Sequence, residues 1–199
     1  MDNKINLRLE WSLWVNWVAA TTLGFLVNDG SQLFISNGSI LAFLYSLILD
    51  GLIIALFQWL FVLRHLGPSN NKWIWVGTIG WGLGWLLGNV LGSALLMSLF
   101  IHGTFLGIIQ WAFFIRKLYS RSLLWIAINA IGLPFAYGLS WFVIFPFVLG
   151  NYDGPLSGPL DTVIRGALFG ALTGATLIWL SYRPHEEMDS IISSDPYSS

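Results

Sequence analysis

Residues 50–66 read DGLIIALFQWLFVLRHL and residues 102–118 read HGTFLGIIQWAFFIRKL, one pattern repeated at an offset of 52 without a gap. Gly51, Gln58, Trp59, Arg64 and Leu66 recur as Gly103, Gln110, Trp111, Arg116 and Leu118. Each copy is an apolar run closed by a basic residue. Each is close to the roughly 20 residues that a helix needs to cross a hydrocarbon layer about 30 Å thick. The same offset carries Trp73 and Gly80, in the run that follows, to Trp125 and Gly132. A degenerate third copy, RGALFGALTGATLIW, begins at Arg165, with Gly166 in the glycine position and Thr173 in that of the glutamine. The segments between have their own echo: Trp17-x3-Thr21-x2-Gly24, Trp73-x3-Gly77-x2-Gly80 and Trp125-x3-Asn129-x2-Gly132. A repeat of this length is an architectural unit and bears on the whole fold.

The composition agrees with a chain solvated by lipid. Of its 199 residues 56% are hydrophobic and 10% charged, against roughly 45–50% and about 25% in soluble domains. Apolar runs this long would leave large patches facing water in a soluble chain. The 12 Trp and 21 Gly fit the enrichment of both residues in membrane proteins. The absence of cysteine excludes disulfides, thiolate metal sites and cysteine nucleophiles. A net charge of −1 with scattered Lys and Arg excludes the basic stripe of a nucleic-acid binder.

Apolar runs bounded by polar residues predict six transmembrane helices, near Trp11 to Val27, Ser39 to Leu63, Lys72 to Val90, Met97 to Ile115, Ser122 to Phe145 and Leu160 to Leu180. The cut between the third and fourth falls in GNVLGS, with Asn89, Gly92 and Ser93 as the expected turn. The first run lacks a small-x-small cleavage site and is read as a retained helix. Six spans place Lys4, Arg8, Arg64, Lys72, Arg116, Lys117, Arg121 and Arg183 on one side and only Arg165 on the other. Because Lys and Arg stay on the cytoplasmic side of short loops, both termini are expected in the cytoplasm, of either a plasma or an internal membrane. The expectation is an all-α bundle over 1–182 made of three helical hairpins, about 8–65, 72–118 and 122–182. These would be related by approximate threefold internal symmetry about an axis along the membrane normal. Residues 183–199 are polar and Ser-rich and read as a disordered cytoplasmic tail.

The tandem G-x6-Q-W-x4-R block, the Trp-led glycine helix after it and the short polar tail resemble a set of uncharacterised bacterial multi-pass membrane proteins, common in cyanobacteria and related phototrophs. The resemblance covers nearly the whole chain. It implies the hairpin architecture and a host group, and it implies no mechanism.

The sharpest polar signal is the residue before each repeat glycine: Asp50, His102 and Arg165. Counting back from Arg64 and Arg116 puts Asp50 and His102 roughly 21 Å from the cytoplasmic boundary. A carboxylate at the bilayer centre costs about 2.5–3.5 kcal/mol unless paired or protonated. Under threefold symmetry the three residues meet around one axis, with Asp50 and Arg165 as an ion pair and His102 beside them, tying the hairpins together. Gln58 and Gln110 lie two turns further in on nearly the same face, where interhelical hydrogen bonding is the expected use.

Gly80, Gly84, Gly88 and Gly92 form one bare stripe at four-residue spacing, and Gly166, Gly170 and Gly174 a second. Small residues let helices approach closely in lipid. Packing within the chain is preferred over a homo-oligomer interface, which the same stripes would also serve. The tryptophans are read as an aromatic belt at the helix ends, rather than as a pigment or lipid site. Pro134 and Pro146 are expected to kink or end the fifth helix, and 151–161 to form an exterior turn with two Gly-Pro steps.

No catalytic motif is recognisable, and the three histidines at positions 65, 102 and 185 are too far apart in sequence for helical spacing to unite them. No catalytic residue, metal or cofactor is expected. The reading is a non-enzymatic structural or accessory component that binds membrane lipids or other membrane proteins. The first alternative is a small channel or transporter with a polar path at Asp50, His102 and Arg165, which would show a hydrated cavity at the level of Asp50. The second is an enzyme on a membrane lipid, with a cytoplasmic pocket around Arg64, His65, Arg116, Lys117 and Arg121.

Overall fold

The computed structural model describes residues 2–32, 40–65, 71–119, 122–142 and 157–181. They form six α-helices: α1 (Asp2–Gln32), α2 (Ile40–Phe61), α3 (Lys72–Leu91), α4 (Leu95–Phe113), α5 (Leu124–Leu139) and α6 (Ser157–Ser181). Spans Lys72–Leu91, Leu95–Lys117, Leu124–Phe142 and Ser157–Ser181 are each long and apolar enough to cross a membrane, and Leu47–Phe61 of α2 is a shorter apolar stretch. The expected tail at 183–199, Pro146 and the segment 143–156 lie outside the described residues.

The helices close into a ring. Each packs against its neighbours in chain order, and α6 returns to pack against α1. Two apolar clusters show that the helices alternate in direction. One joins Trp17 near the start of the described side chains of α1, Val62 and Leu63 after α2, Trp73 at the start of α3, Ile115 after α4, Trp125 at the start of α5 and Leu180 at the end of α6. The other joins Phe25, Ile54, Trp81, Leu99, Leu133 and Phe169, later along the odd-numbered helices and earlier along the even-numbered ones. Both α2 and α4 finish in a 3-10 turn, Leu63–His65 and Ile115–Lys117, at the same position of the 52-residue pattern.

Several boundaries differ from the sequence reading, among them the start of α1, at Asp2 where Trp11 was expected. The α3–α4 turn is Gly92 to Ala94, while Asn89 stays helical and donates its Nδ2 to the Trp85 carbonyl at 2.8 Å. The amide is satisfied on its own helix and so does not break it. Helix α6 starts at Ser157, inside the stretch expected to be a turn, and α1 continues past Val27 to Gln32. Helix α5 passes through Pro134 to Leu139 and ends in a π turn over 140–142. Proline removes one backbone donor, and the helix continues beyond it.

Both glycine stripes are filled from within the chain. A Cβ on Gly84 would lie 2.5 Å from the His102 carbonyl oxygen, and one on Gly88 2.6 Å from that of Ser98, so α3 lies backbone to backbone on α4. On the other side of the ring, a Cβ on Gly166 would meet Thr22 Cα at 2.8 Å and one on Gly170 would meet Val18 Cα at 3.1 Å, seating α6 on α1. Gly84→Ala is therefore expected to destabilise by about 1–3 kcal/mol through overpacking. Gly138→Ala, whose Cβ would meet only Leu96 Cδ2 at 3.7 Å, should cost nothing. Thermal unfolding of both variants in the same detergent checks the contrast.

Candidate functional site: a tryptophan-centred polar interior

Helices α1, α3 and α5 each place one tryptophan on the axis of the ring. Trp17, Trp73 and Trp125 are each 1% exposed, and their rings pack edge to face with centroids 5.7, 6.3 and 6.0 Å apart. An indole buried this deeply must find an acceptor for its N–H. Trp73 Nε1 donates to Gln58 Oε1 at 3.0 Å, Trp125 Nε1 to Gln110 Oε1 at 2.8 Å, and Trp17 Nε1 to Thr173 Oγ1 at 3.0 Å. The first two bonds join α2 to α3 and α4 to α5; the third joins α6 to α1 and closes the circle. These three residues leave the aromatic belt to which the sequence reading assigned them. They stand near helix starts in sequence, yet the facing Gln or Thr draws each indole inward. Trp11 and Trp75, more than 60% exposed, remain on the outer surface.

Glycine contacts repeat around the same circle, seven residues before each acceptor. A Cβ on Gly51 would meet Thr78 Cα at 2.9 Å, one on Gly103 would meet Ala130 Cα at 3.2 Å, and one on Gly166 would meet Thr22 Cα at 2.8 Å. Thr78, Ala130 and Thr22 each lie five residues after the axial tryptophan of their own helix. The even-numbered helices thus approach the next odd-numbered helix closely enough for a short acceptor to reach the indole.

Gln58 does more than its counterpart. Its Nε2 also donates to Thr21 Oγ1 at 3.1 Å, so one buried amide ties α1, α2 and α3 together. Gln58→Leu leaves both the Trp73 N–H and the Thr21 hydroxyl without this partner, and is expected to cost about 1–2 kcal/mol. Gln110→Leu, which breaks one such bond, should cost less. Unfolding midpoints of the two variants against the parent chain give the comparison.

The expected cluster of Asp50, His102 and Arg165 is not what the fold builds. Arg165 gives its ion pairs to Asp161 at 2.7 Å and Asp29 at 3.3 Å, instead of to Asp50. The cause is the i, i+4 geometry of α6 together with the longer α1. Asp161 stands one turn before Arg165 on the same face, and carrying α1 to Gln32 brings Asp29 across to it. The guanidinium also lies 4.5 Å from the centre of the Tyr137 ring and 5.8 Å from that of Trp141. The π turn of α5 aims Ser140 and Trp141 at the same carboxylate. The Ser140 hydroxyl donates to Asp161 Oδ1 and Trp141 Nε1 to Asp161 Oδ2. The Thr162 hydroxyl donates to Asp29 Oδ2. Asp50 is buried within α2. His102 is buried in α4 and lies edge-on to Trp81, with centroids 4.6 Å apart.

Reading the sequence missed Asp29, Asp161, Thr162, Tyr137, Ser140 and Trp141 as members of one network. The available signal was the i, i+4 spacing of Asp161 and Arg165, which on a helix makes neighbours of opposite charges. The sequence reading put Asp161 both at the end of the exterior turn and inside the sixth helix, and did not use that spacing.

The cavity on the axis has a volume of about 10 Å³ and is bounded by Trp17, Trp73, Trp81 and Trp125 together with Gln58, Gln110, Asn129 and Thr173. That is close to the room one water requires. The fold and this interior define a class, an all-helical protein with four helices long and apolar enough to span a membrane. Comparisons with protein-family models, with curated proteins and with solved structures found no match.

Proposed function

We propose that the chain is an integral membrane protein of six transmembrane helices, three hairpins in near-threefold array with both termini in the cytoplasm. In this reading it is a non-enzymatic accessory component that holds other membrane proteins or lipids on its outer surface. The observation that carries the proposal is the use of the interior. The axial indoles bond Gln58, Gln110 and Thr173, the glycine faces are filled by neighbouring helices, and the axis keeps space for about one water. What the ring offers to others is its outside, where Trp75, Ile79, Val90, Phe113, Ile131 and Phe142 are each more than half exposed. The equivalence of Gly51–Thr78, Gly103–Ala130 and Gly166–Thr22 supports the threefold relation, and the basic residues of the six-span arrangement support the orientation.

Gentle affinity purification from native membranes, followed by mass spectrometry of retained proteins and lipids, tests the role. The expected result is a partner or a lipid class held in fixed stoichiometry. A clean monomer with only bulk lipid contradicts it.

A second reading, a narrow polar path, draws on the buried amides and hydroxyls that flank the axis. It requires Trp17, Trp73 and Trp125 to part. Proton or ion flux through purified protein in liposomes that exceeds protein-free liposomes would favour it over the accessory role.

A further inference from the structure

We propose that the axial cavity is a binding site for a single ordered water, which accepts from Trp81 Nε1–H and the Gln110 amide and donates to Asn129 Oδ1. Three observations converge on it. Trp81 and Asn129 are 6% and 1% exposed, both line the cavity, and Trp81 Nε1 and Asn129 Oδ1 have no hydrogen-bond partner among the described residues. Gln110 also lines the cavity, with its oxygen given to Trp125, and no described side chain accepts from its Nε2. The cavity volume of about 10 Å³ stands at the lower edge of what one water needs, roughly 10–15 Å³. Buried donors and acceptors left unmet cost about 1–3 kcal/mol each. A molecule that both donates and accepts, and is no larger than water, removes that cost at Trp81 and Asn129 and gives the Gln110 amide an acceptor.

The imperfections of the repeat explain why the site arises here, and this part of the argument rests on the threefold relation proposed above. The position four residues after each axial tryptophan is Thr21, Gly77 and Asn129. In one unit both partners are present, and Gln58 bonds Thr21 directly. In the next, Gln110 faces Gly77, which has no side chain to accept its N–H. In the third, Asn129 faces Thr173, whose short hydroxyl is engaged by Trp17 and the Phe169 carbonyl. Asn129 gives its Nδ2 to the Trp125 carbonyl at 2.8 Å, so its oxygen remains as acceptor. One donor and one acceptor are thus left over from two broken copies of the Gln58–Thr21 bond. Trp81 adds the third group.

The test is magnetisation transfer from water to indole N–H groups in the full chain, labelled with ¹⁵N-tryptophan in lipid nanodiscs. The expected result is transfer to Trp81 and none to Trp17, Trp73 or Trp125, whose protons are held by Thr173, Gln58 and Gln110. Asn129→Leu removes the acceptor and should abolish most of the Trp81 signal. Should that variant not fold, the parent chain alone decides. A Trp81 indole as silent as the other three, or transfer to all four alike, overturns the proposal. Neither result bears on whether the outer surface holds a partner.

Discussion

Arg165→Ala should lower the stability of the folded chain by about 3–5 kcal/mol, the range for removing one partner of a buried ion pair. The effect concentrates on Asp161. Its side chain and that of Arg165 are each 11% exposed, whereas Asp29 is 42% exposed and keeps water around its carboxylate. Screening therefore makes the Asp29 contact the minor part. Without the guanidinium, Asp161 keeps, among the described residues, the Ser140 hydroxyl and the Trp141 indole, and two neutral donors do not balance a charge at low dielectric. Arg165→Lys, which retains the charge and loses the planar guanidinium that lies against the Tyr137 ring, should fall between. The double variant D161N/R165M removes both charges and should recover most of the loss, because a neutral pair leaves no stranded ion. A double variant as unstable as Arg165→Ala would show that the network acts through packing on Tyr137 and Trp141 instead.

Trp125→Ala is expected to cost about 3–5 kcal/mol, the range for emptying an aromatic site in a packed core. Trp125 touches both other axial rings and holds Gln110 Oε1, so its removal opens the centre and leaves an amide oxygen unmet. Trp125→Phe separates the two effects. It keeps most of the ring and loses the N–H, and should cost about 1–3 kcal/mol. Calorimetric or fluorescence-detected unfolding of the pair in one detergent gives the ordering. Equal losses would mean that the hydrogen bond, and not the volume, dominates at the axis.

Much of this architecture is legible in the sequence because the signals are coarse. Long apolar runs mark the helices, and α3 and α4 fall within a few residues of their expected limits. The 52-residue offset anticipated that Gln58 and Gln110 would be used alike, and both accept from the tryptophan fifteen residues on. The corrections come where polar residues were used to end helices. Asp29 fell beyond the expected end of the first helix at Val27, and Asp161 was counted both in the exterior turn and in the sixth helix, so neither was considered as a partner for Arg165. The longer α1 and the i, i+4 spacing within α6 give Arg165 these partners in place of Asp50. The axial tryptophans were misplaced for a related reason. Position near a helix end says how deep a residue lies along the membrane normal and nothing about the side of the helix it faces. That is decided by which acceptor stands opposite, and the acceptor comes from another helix.

The proposed six-span ring puts its basic turns together on one side of the membrane, opposite the end that carries Arg165. A chain with no cysteine allows single cysteines to be placed without altering the background. Ser93→Cys and Ser157→Cys, within the α3–α4 turn and at the start of α6, should react with a membrane-impermeant maleimide in intact cells that carry the chain in their plasma membrane. Lys72→Cys and Lys117→Cys should react only after permeabilisation. Labelling of Ser93→Cys and Lys117→Cys from the same side would contradict the arrangement.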